Sequence, residues 1–488
     1  MSNNRINNNL HEKWLINRAE RNHRRKSDKK GTSNPKTYES KIVIPRFFRR
    51  KYRLTTTYKS DMFYYTKKSE YVKKYLPDNL RYITQTNDSP FALSVIKHAN
   101  YNTGGNILIP ENFSILNNET ESIDTLKQII SALLIENNEQ VILNYSQCSH
   151  VDLSTQILLD IVLMDFVKFR RRCNKIYRGH HRIFPSIAGV EINDKSLQKM
   201  MFSVGSPANL GIQQNDYTDI IKYKLNIHDN SKYKDNQTRM SQKELDTTAM
   251  ADYVNDCLAR MNKELTPEKL DDLCTVIGEI LINAEEHSST KYRFSIGYFN
   301  EESQSQHHYG VFRLVILNFG QTIYEKFHSD NCPNQRVVNK MKALSKKYTS
   351  KLLFMPGKFE EESLWTLYAL QEGITSIESA KRGNGSIRFI ESFFNIKGTQ
   401  EQDNVSVMTI CSGHTRIFFN GAYSIVHKRN ERNEDFRVMT FNKTGNIEDK
   451  PDNAYVKHSD CYFPGTFISA KILLNDDDVK QIEDDKQY

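Results

Sequence analysis

The sequence predicts a mixed α/β (α+β) protein with two structured regions behind a basic arm. Three observations carry this. Short apolar runs alternate with helix-period segments between about 105 and 225. Further helices and apolar strands follow between about 245 and 475. Charge is segregated: residues 1–75 hold 21 Lys or Arg against 6 Asp or Glu, so the formal +9 of the 488-residue chain divides into +15 for the arm and −6 for the rest. That length suits two or three domains.

The arm is read as largely disordered. "MSNNRINNNL" is polar, and "RAERNHRRKSDKKGTSNPK" is a charge run without an apolar period. "IVIPRFFRRKYRL" interleaves aromatics with cations. Two readings stand: a solvated or partner-packing tail, or a nucleic-acid contact within residues 1–60 that grips phosphates and stacks bases on Phe47, Phe48 and Tyr52. "SEYVKKYLPDNL" reads as a short helix ended by Pro77.

In the first region "NILIP" and "EQVILNYS" suit strands, and "SIDTLKQIISALLI" has apolar residues at helical spacing. "LSTQILLDIVLMDFVKF" is apolar nearly all round, so it predicts a buried helix. "HRIFPSIAGVEI" and "DKSLQKMMFSVG" add a strand and a helix. Residues 226–244 are polar, have no period, and read as a linker.

The second region opens with the helix "ELDTTAMADYVNDCLARMNKEL". Thr266-Pro267-Glu268 then starts a helix whose Leu273, Val276, Ile277, Ile280, Leu281 and Ala284 share one arc. Glu279, Asn283 and Glu286 fall on the adjoining arc, where a carboxylate is held rigidly at the edge of a core. "YGVFRLVILNFGQTIYEKF" gives a strand ending at Asn318-Phe319-Gly320. "KRGNGSIRFIESFF" puts Gly383 and Gly385 before a helix that starts near Ser386, where backbone N–H groups can approach phosphates. "CYFPGTFISAKILL" has Gly465-Thr466 opening an apolar strand, and residues 476–488 form an acidic tail.

Two resemblances follow. Residues 105–225 resemble the STAS domain of anti-sigma factor antagonists, in element order and in "VILNYSQCSHVDLSTQILLDIVL". That family's turn carries an Asp-Ser pair whose Ser can be phosphorylated; here the turn reads Asp152-Leu153-Ser154-Thr155, and Ser154 also suits a helix cap. Residues 245–475 resemble the ATP-binding domain of the GHKL superfamily, a two-layer α/β sandwich (Bergerat fold) shared by gyrase B, MutL, histidine kinases and anti-sigma factor kinases. "EILINAEEH" is similar to its N-box. By that match Asn283 holds Mg²⁺ under the phosphates, Glu279 is the general base, and His287 closes the box. "NFGQT" resembles the first glycine box, with Asn318 at adenine and Gly320 in the turn. Asn stands where Asp is usual, and Thr322 where a second Gly is usual. "RGNGS" resembles the second glycine box. It implies Lys381, Arg382, Gly383, Gly385 and Ser386 around the phosphates. Thr466 matches the final Gly-Thr motif at the adenine end. Trp365 and Tyr368 suit packing in the segment between the glycine boxes, 321–382, which closes over ATP in such domains.

The implied cofactors are ATP and Mg²⁺. Three functions compete: an ATPase-type conformational switch acting on a regulatory partner protein, an anti-sigma-type serine/threonine kinase, and a non-enzymatic nucleotide- or nucleic-acid-binding scaffold. Many relatives of this kind are homodimers. No histidine phosphoacceptor pattern is present. The seven cysteines form no C-x-x-C pair, and no apolar run reaches the roughly 18 residues of a membrane span. The expected setting is the cytoplasm, with no membrane association.

Overall fold

The computed structural model describes residues 67–177, 183–232, 236–286, 288–304, 307–349, 359–374, 385–397, 405–429 and 435–475. Residues 1–60, His287, Lys381, Arg382, Gly383 and the acidic tail lie outside them.

Residues 67–75 form α1, and Pro77 separates it from α2 (Asp78–Gln85). The expected arm boundary at 75 therefore falls too late. Tyr71 and Val72 are buried, and this apolar pair draws the end of the arm into the fold.

The first region continues with α3 (Leu93–Ala99), β1 (Asn106–Leu108), β2 (Asn112–Phe113), α4 (Glu119–Leu134), β3 (Gln140–Asn144) and β4 (His150–Val151). Then come α5 (Leu153–Tyr177), β5 (Ser186–Val190), α6 (Lys195–Ser203) and the short α7 (Ser206–Asn209). Strands β1, β3 and β5 make a parallel sheet in the order β1-β3-β5, while β2 and β4 form a separate parallel pair. Parallel neighbours require crossovers, which α4 and α5 supply.

The second region begins with β6 (Ile220–Asp229), a 3₁₀ turn (Asn230–Lys232), α8 (Asn236–Arg260) and α9 (Pro267–Glu286). Next are β7 (Ser288–Gln304), β8 (His307–Gly320), α10 (Ile323–His328), α11 (Gln335–Thr349) and α12 (Glu361–Ala369). The region ends with α13 (Gly385–Lys397), β9 (Val407–Phe419), the hairpin β10 (Val426–Arg429) and β11 (Asp435–Val438), and β12 (Val456–Asn475). The sheet order is β6-β7-β8-β12-β9, with every neighbouring pair antiparallel.

The expected linker at 226–244 is not one. It contains the end of β6, the 3₁₀ turn and the first turns of α8. Its polar residues are used inside the fold: Asn226 donates to Asp246, and His228 pairs with the same carboxylate. An apolar-period reading passes over a strand whose buried side chains are polar. The expected boundary at 225 likewise cuts through β6.

Strand periodicity gives the five-stranded sheet two faces. On one, Phe294, Ile296, Val315, Leu317, Phe319 and Phe467 join a single hydrophobic core with α4 and α5 of the first region. On the other, Phe312, Leu314 and Ile316 pack with Val276, Ile277 and Ile280 of α9. The chain is thus layered, with the first region on one side of the sheet and α8, α9 and α13 on the other.

Candidate functional site

The helix-covered face changes character at one end of the sheet. Phe312, Leu314 and Ile316 are followed on the same face by Asn318, which is 2% exposed. Register extends that position across all five strands: His228 lies opposite Arg293, Arg293 opposite Asn318, Asn318 opposite Thr466, and Thr466 opposite Ser412. Directly opposite residues in a sheet share a face. A row of five polar side chains therefore lies under the helices. His228, Arg293, Asn318 and Ser412 are buried, and Thr466 is half-buried.

One half of the row is closed by its own hydrogen bonds. Ser412 Oγ and Thr466 Oγ1 share a bond of 2.8 Å, and the backbone N–H of Ile323 donates to Ser412 Oγ at 2.8 Å. Thr322 occupies its unexpected place because it caps α10. Its hydroxyl accepts from the Glu325 N–H at 3.1 Å, and Glu325 returns a bond to the Thr322 N–H. Gly465 has φ +150°, and a Cβ there would stand 2.1 Å from the carbonyl oxygen of Asn318. Only glycine permits this approach of β12 to β8.

The other half is ionic. Arg293 Nη2 donates to Asp246 Oδ2 at 2.7 Å, and His228 Nδ1 pairs with the same oxygen at 2.9 Å. Burial alone pushes the Asp246 carboxyl up. The hydrogen bonds from His228, Asn226, Gln242 and Arg293 outweigh it and hold the group well below the usual carboxylate range. Glu285 of α9 faces this cluster, 3.3 Å from Lys243 Nζ.

Between the halves, hydrogen bonding is incomplete. Asn318 Nδ2, Arg293 Nε and Arg293 Nη1 are sealed from solvent and have no partner among the described residues. Buried donors without acceptors are rare, since each forfeits its hydration without return.

Helix α9 reaches this end of the sheet by covalent continuity. It stops at Glu286, and β7 begins at Ser288, which pairs with Gly320 of β8. Asn283 thus lies within the last turn of α9 before that junction, and Glu279 one turn earlier. Both side chains are half-buried, on the flank of α9 opposite Glu285. Helix α13 packs along α9, starts at Gly385, one residue before the expected Ser386, and leaves Ser386 half-buried. Asn318, Gly320 and Thr466 are therefore brought together, with the end of α9 at the same edge.

Among those residues no group of three or more His, Cys, Asp or Glu side chains could hold a metal ion. Trp365 and Tyr368 are core residues: both are buried, and Trp365 Nε1 donates to Ser345 Oγ at 3.0 Å.

Ser154 neither caps a helix nor meets solvent. Asp152 does the capping, accepting from the Ser154 and Thr155 N–H groups at 2.8 and 2.9 Å. Ser154 is fully buried, and its Oγ has no partner.

The residues that sequence reading missed are His228, Asp246, Arg293 and Ser412. Their signal was present as polar residues at buried strand positions, but it needs strand register to be seen. No helix is long and apolar enough to cross a membrane among the described residues. No family model, curated protein or solved structure matches the chain.

Proposed function

We propose that the chain is a nucleotide-operated regulatory switch of the GHKL type, with a STAS-like region packed on the open face of its nucleotide-binding sandwich. The observation that carries this reading is the buried Asn318 amide paired in register with Thr466, where Gly465 lets the two strands close up. A buried amide at a strand end, unpartnered on its nitrogen, suits recognition of a base edge. The order of elements supports the same reading: an acid-to-amide helix, a strand ending in Asn-x-Gly, a helix starting at Gly385, and a strand carrying Gly-Thr.

ATP is the nucleotide that the resemblance implies. In this reading Asn318 and Thr466 hold the base. Gly385 and Ser386, with Lys381, Arg382 and Gly383 before them, surround the phosphates. Asn283 supplies the protein ligand to Mg²⁺, which when bound neutralises phosphate charge. The Glu279 carboxylate takes a proton from the attacking water, and its half-buried place on a rigid helix fixes its aim.

Nucleotide binding shifts only an equilibrium between states that bind it unequally. The single core shared by the sheet and the first region gives a route by which such a shift reaches a partner protein. The kinase alternative loses its nearest candidate acceptor, because Ser154 is buried.

Calorimetry of the full chain with Mg-ATP up to millimolar concentration tests the reading. Binding should require magnesium and should be lost in Asn283→Ala. Phosphate release should vanish in Glu279→Ala while binding persists. Absence of magnesium-dependent binding of any purine nucleoside triphosphate in the wild type would overturn the proposal.

A further inference from the structure

We infer that the base end of this site presents a hydrogen-bond donor, so that it prefers a 6-oxopurine (guanine or hypoxanthine) over adenine; the inference rests on the nucleotide reading above. Adenine carries an amino group at position 6 and needs an acceptor opposite. Guanine and hypoxanthine carry a carbonyl there and need a donor.

The Asn318 amide offers either, depending on a half-turn about its last side-chain bond. Which end faces inward is decided by the neighbours, since oxygen and nitrogen have nearly the same shape. As placed, Asn318 Nδ2, Arg293 Nε and Arg293 Nη1 are all sealed from solvent and without a partner among the described residues. Arg293 is 1% exposed and lies directly opposite Asn318 on the same face. Its remaining nitrogen, Nη2, is engaged by Asp246. Two directly opposite residues thus carry three buried donors without acceptors among the described residues.

Turning the amide places its oxygen among them. That removes one orphan donor and provides an acceptor for the guanidinium, the arrangement that buried polar groups overwhelmingly adopt. The nitrogen then faces the ligand as a donor. Beside it, Ser412 accepts from the Ile323 N–H and shares a hydrogen bond with Thr466 in which either hydroxyl can donate. An Asp at position 318 could only accept, so the Asn reverses the polarity of the contact.

Titration calorimetry on the full chain with the magnesium complexes of ITP, GTP, ATP and purine riboside triphosphate tests this. ITP differs from ATP only at position 6 and in the N1 proton it carries. ITP should bind about tenfold or more tighter than ATP, with purine riboside triphosphate between them. Asn318→Asp should reverse the order of ATP and ITP. The analogue series on the wild type needs no variant to fold. Equal or tighter binding of ATP than ITP would overturn the inference, and if that binding still depended on Asn283 the nucleotide reading would stand. Failure of all four triphosphates to bind would bring down both.

Discussion

The two faces of the five-stranded sheet obey opposite rules. The face toward the first region is dry and aromatic: Phe319 lies 6.2 Å from Phe294 and 6.1 Å from Phe463, ring centroid to centroid, and Phe463 is 4.9 Å from Phe467. The face toward α8, α9 and α13 begins just as apolar and then gives way, at one end, to the row of His228, Arg293, Asn318, Thr466 and Ser412. Stability alone explains the first face. It does not explain the second, because a buried ionic row is often no more stabilising than apolar residues of the same volume. In the proposed reading, the difference separates the face that would carry chemistry from the face that only holds the fold together.

The largest effect should come from breaking the dry face. Phe319→Ala removes a fully buried ring from the core common to both regions and should cost about 3–5 kcal/mol. Urea unfolding followed by two probes, tryptophan fluorescence and far-ultraviolet dichroism, should show one coincident transition moving to lower denaturant. Two separate transitions would mean that the regions do not share a core. Arg293→Met on the other face should cost less. It removes two orphan donors, while Asp246 keeps His228, Asn226 and Gln242.

The comparison sharpens with pH, because the two regions bury aspartates of opposite behaviour. Asp160 in α5 is fully buried, and desolvation pushes its carboxyl up to about 7 despite bonds from Ser206, Asn209 and Gln156. Its folded value lies above the unfolded one, so the stability it contributes is complete below about pH 4 and is lost as pH rises toward 7. Asp246 is held below the usual range, so its contribution is present above about pH 4 and is lost as pH falls further. Urea midpoints from pH 3 to 8 should therefore fall on both sides of a maximum. Asp160→Asn should flatten the neutral side, a change of about 2–4 kcal/mol, and Asp246→Asn the acid side. An unchanged neutral limb in Asp160→Asn would show that Asp160 is ionised in the native state.

A smaller effect is expected where the faces meet the site. Gly465→Ala drives a Cβ into a backbone oxygen 2.1 Å away, which a flexible side chain cannot relieve. A loss of about 2–3 kcal/mol is expected, together with weaker nucleotide binding, since the displaced atom belongs to Asn318. Full binding in a destabilised Gly465→Ala would detach this strand junction from the site.

Most elements of both regions were legible because periodicity reports burial: the helix at α9, the strand ending in Asn318-Phe319-Gly320 and the helix expected near Ser386 all follow from spacing. What stayed hidden has one physical cause. In β6 and β7 the buried positions include His228, Arg293 and Ser295, which bond to residues on other elements, such as Asp246 on α8. A hydropathy pattern records these as surface or linker. Only the register of four strand pairs reveals that His228 and Arg293 lie in one row with Asn318.

The smallest effect concerns two neighbouring hydroxyls at the start of α5. Thr155 Oγ1 accepts from the Ile115 N–H and donates to Asp152 Oδ2, both at 2.7 Å, so Thr155→Ala leaves a buried N–H unpaired and should cost about 1–3 kcal/mol. Ser154 is as deeply buried, but its Oγ has no partner. Ser154→Ala removes an orphaned hydroxyl and brings in a better helix former, so stability should stay within about 0.5 kcal/mol of wild type or rise slightly. Ser154→Asp should instead destabilise strongly, because it forces a charge into a site with no counter-ion. Urea midpoints of the three variants provide the check. A tolerated Ser154→Asp would mean that this turn opens readily to solvent, which is the condition a phosphorylated Ser154 would need.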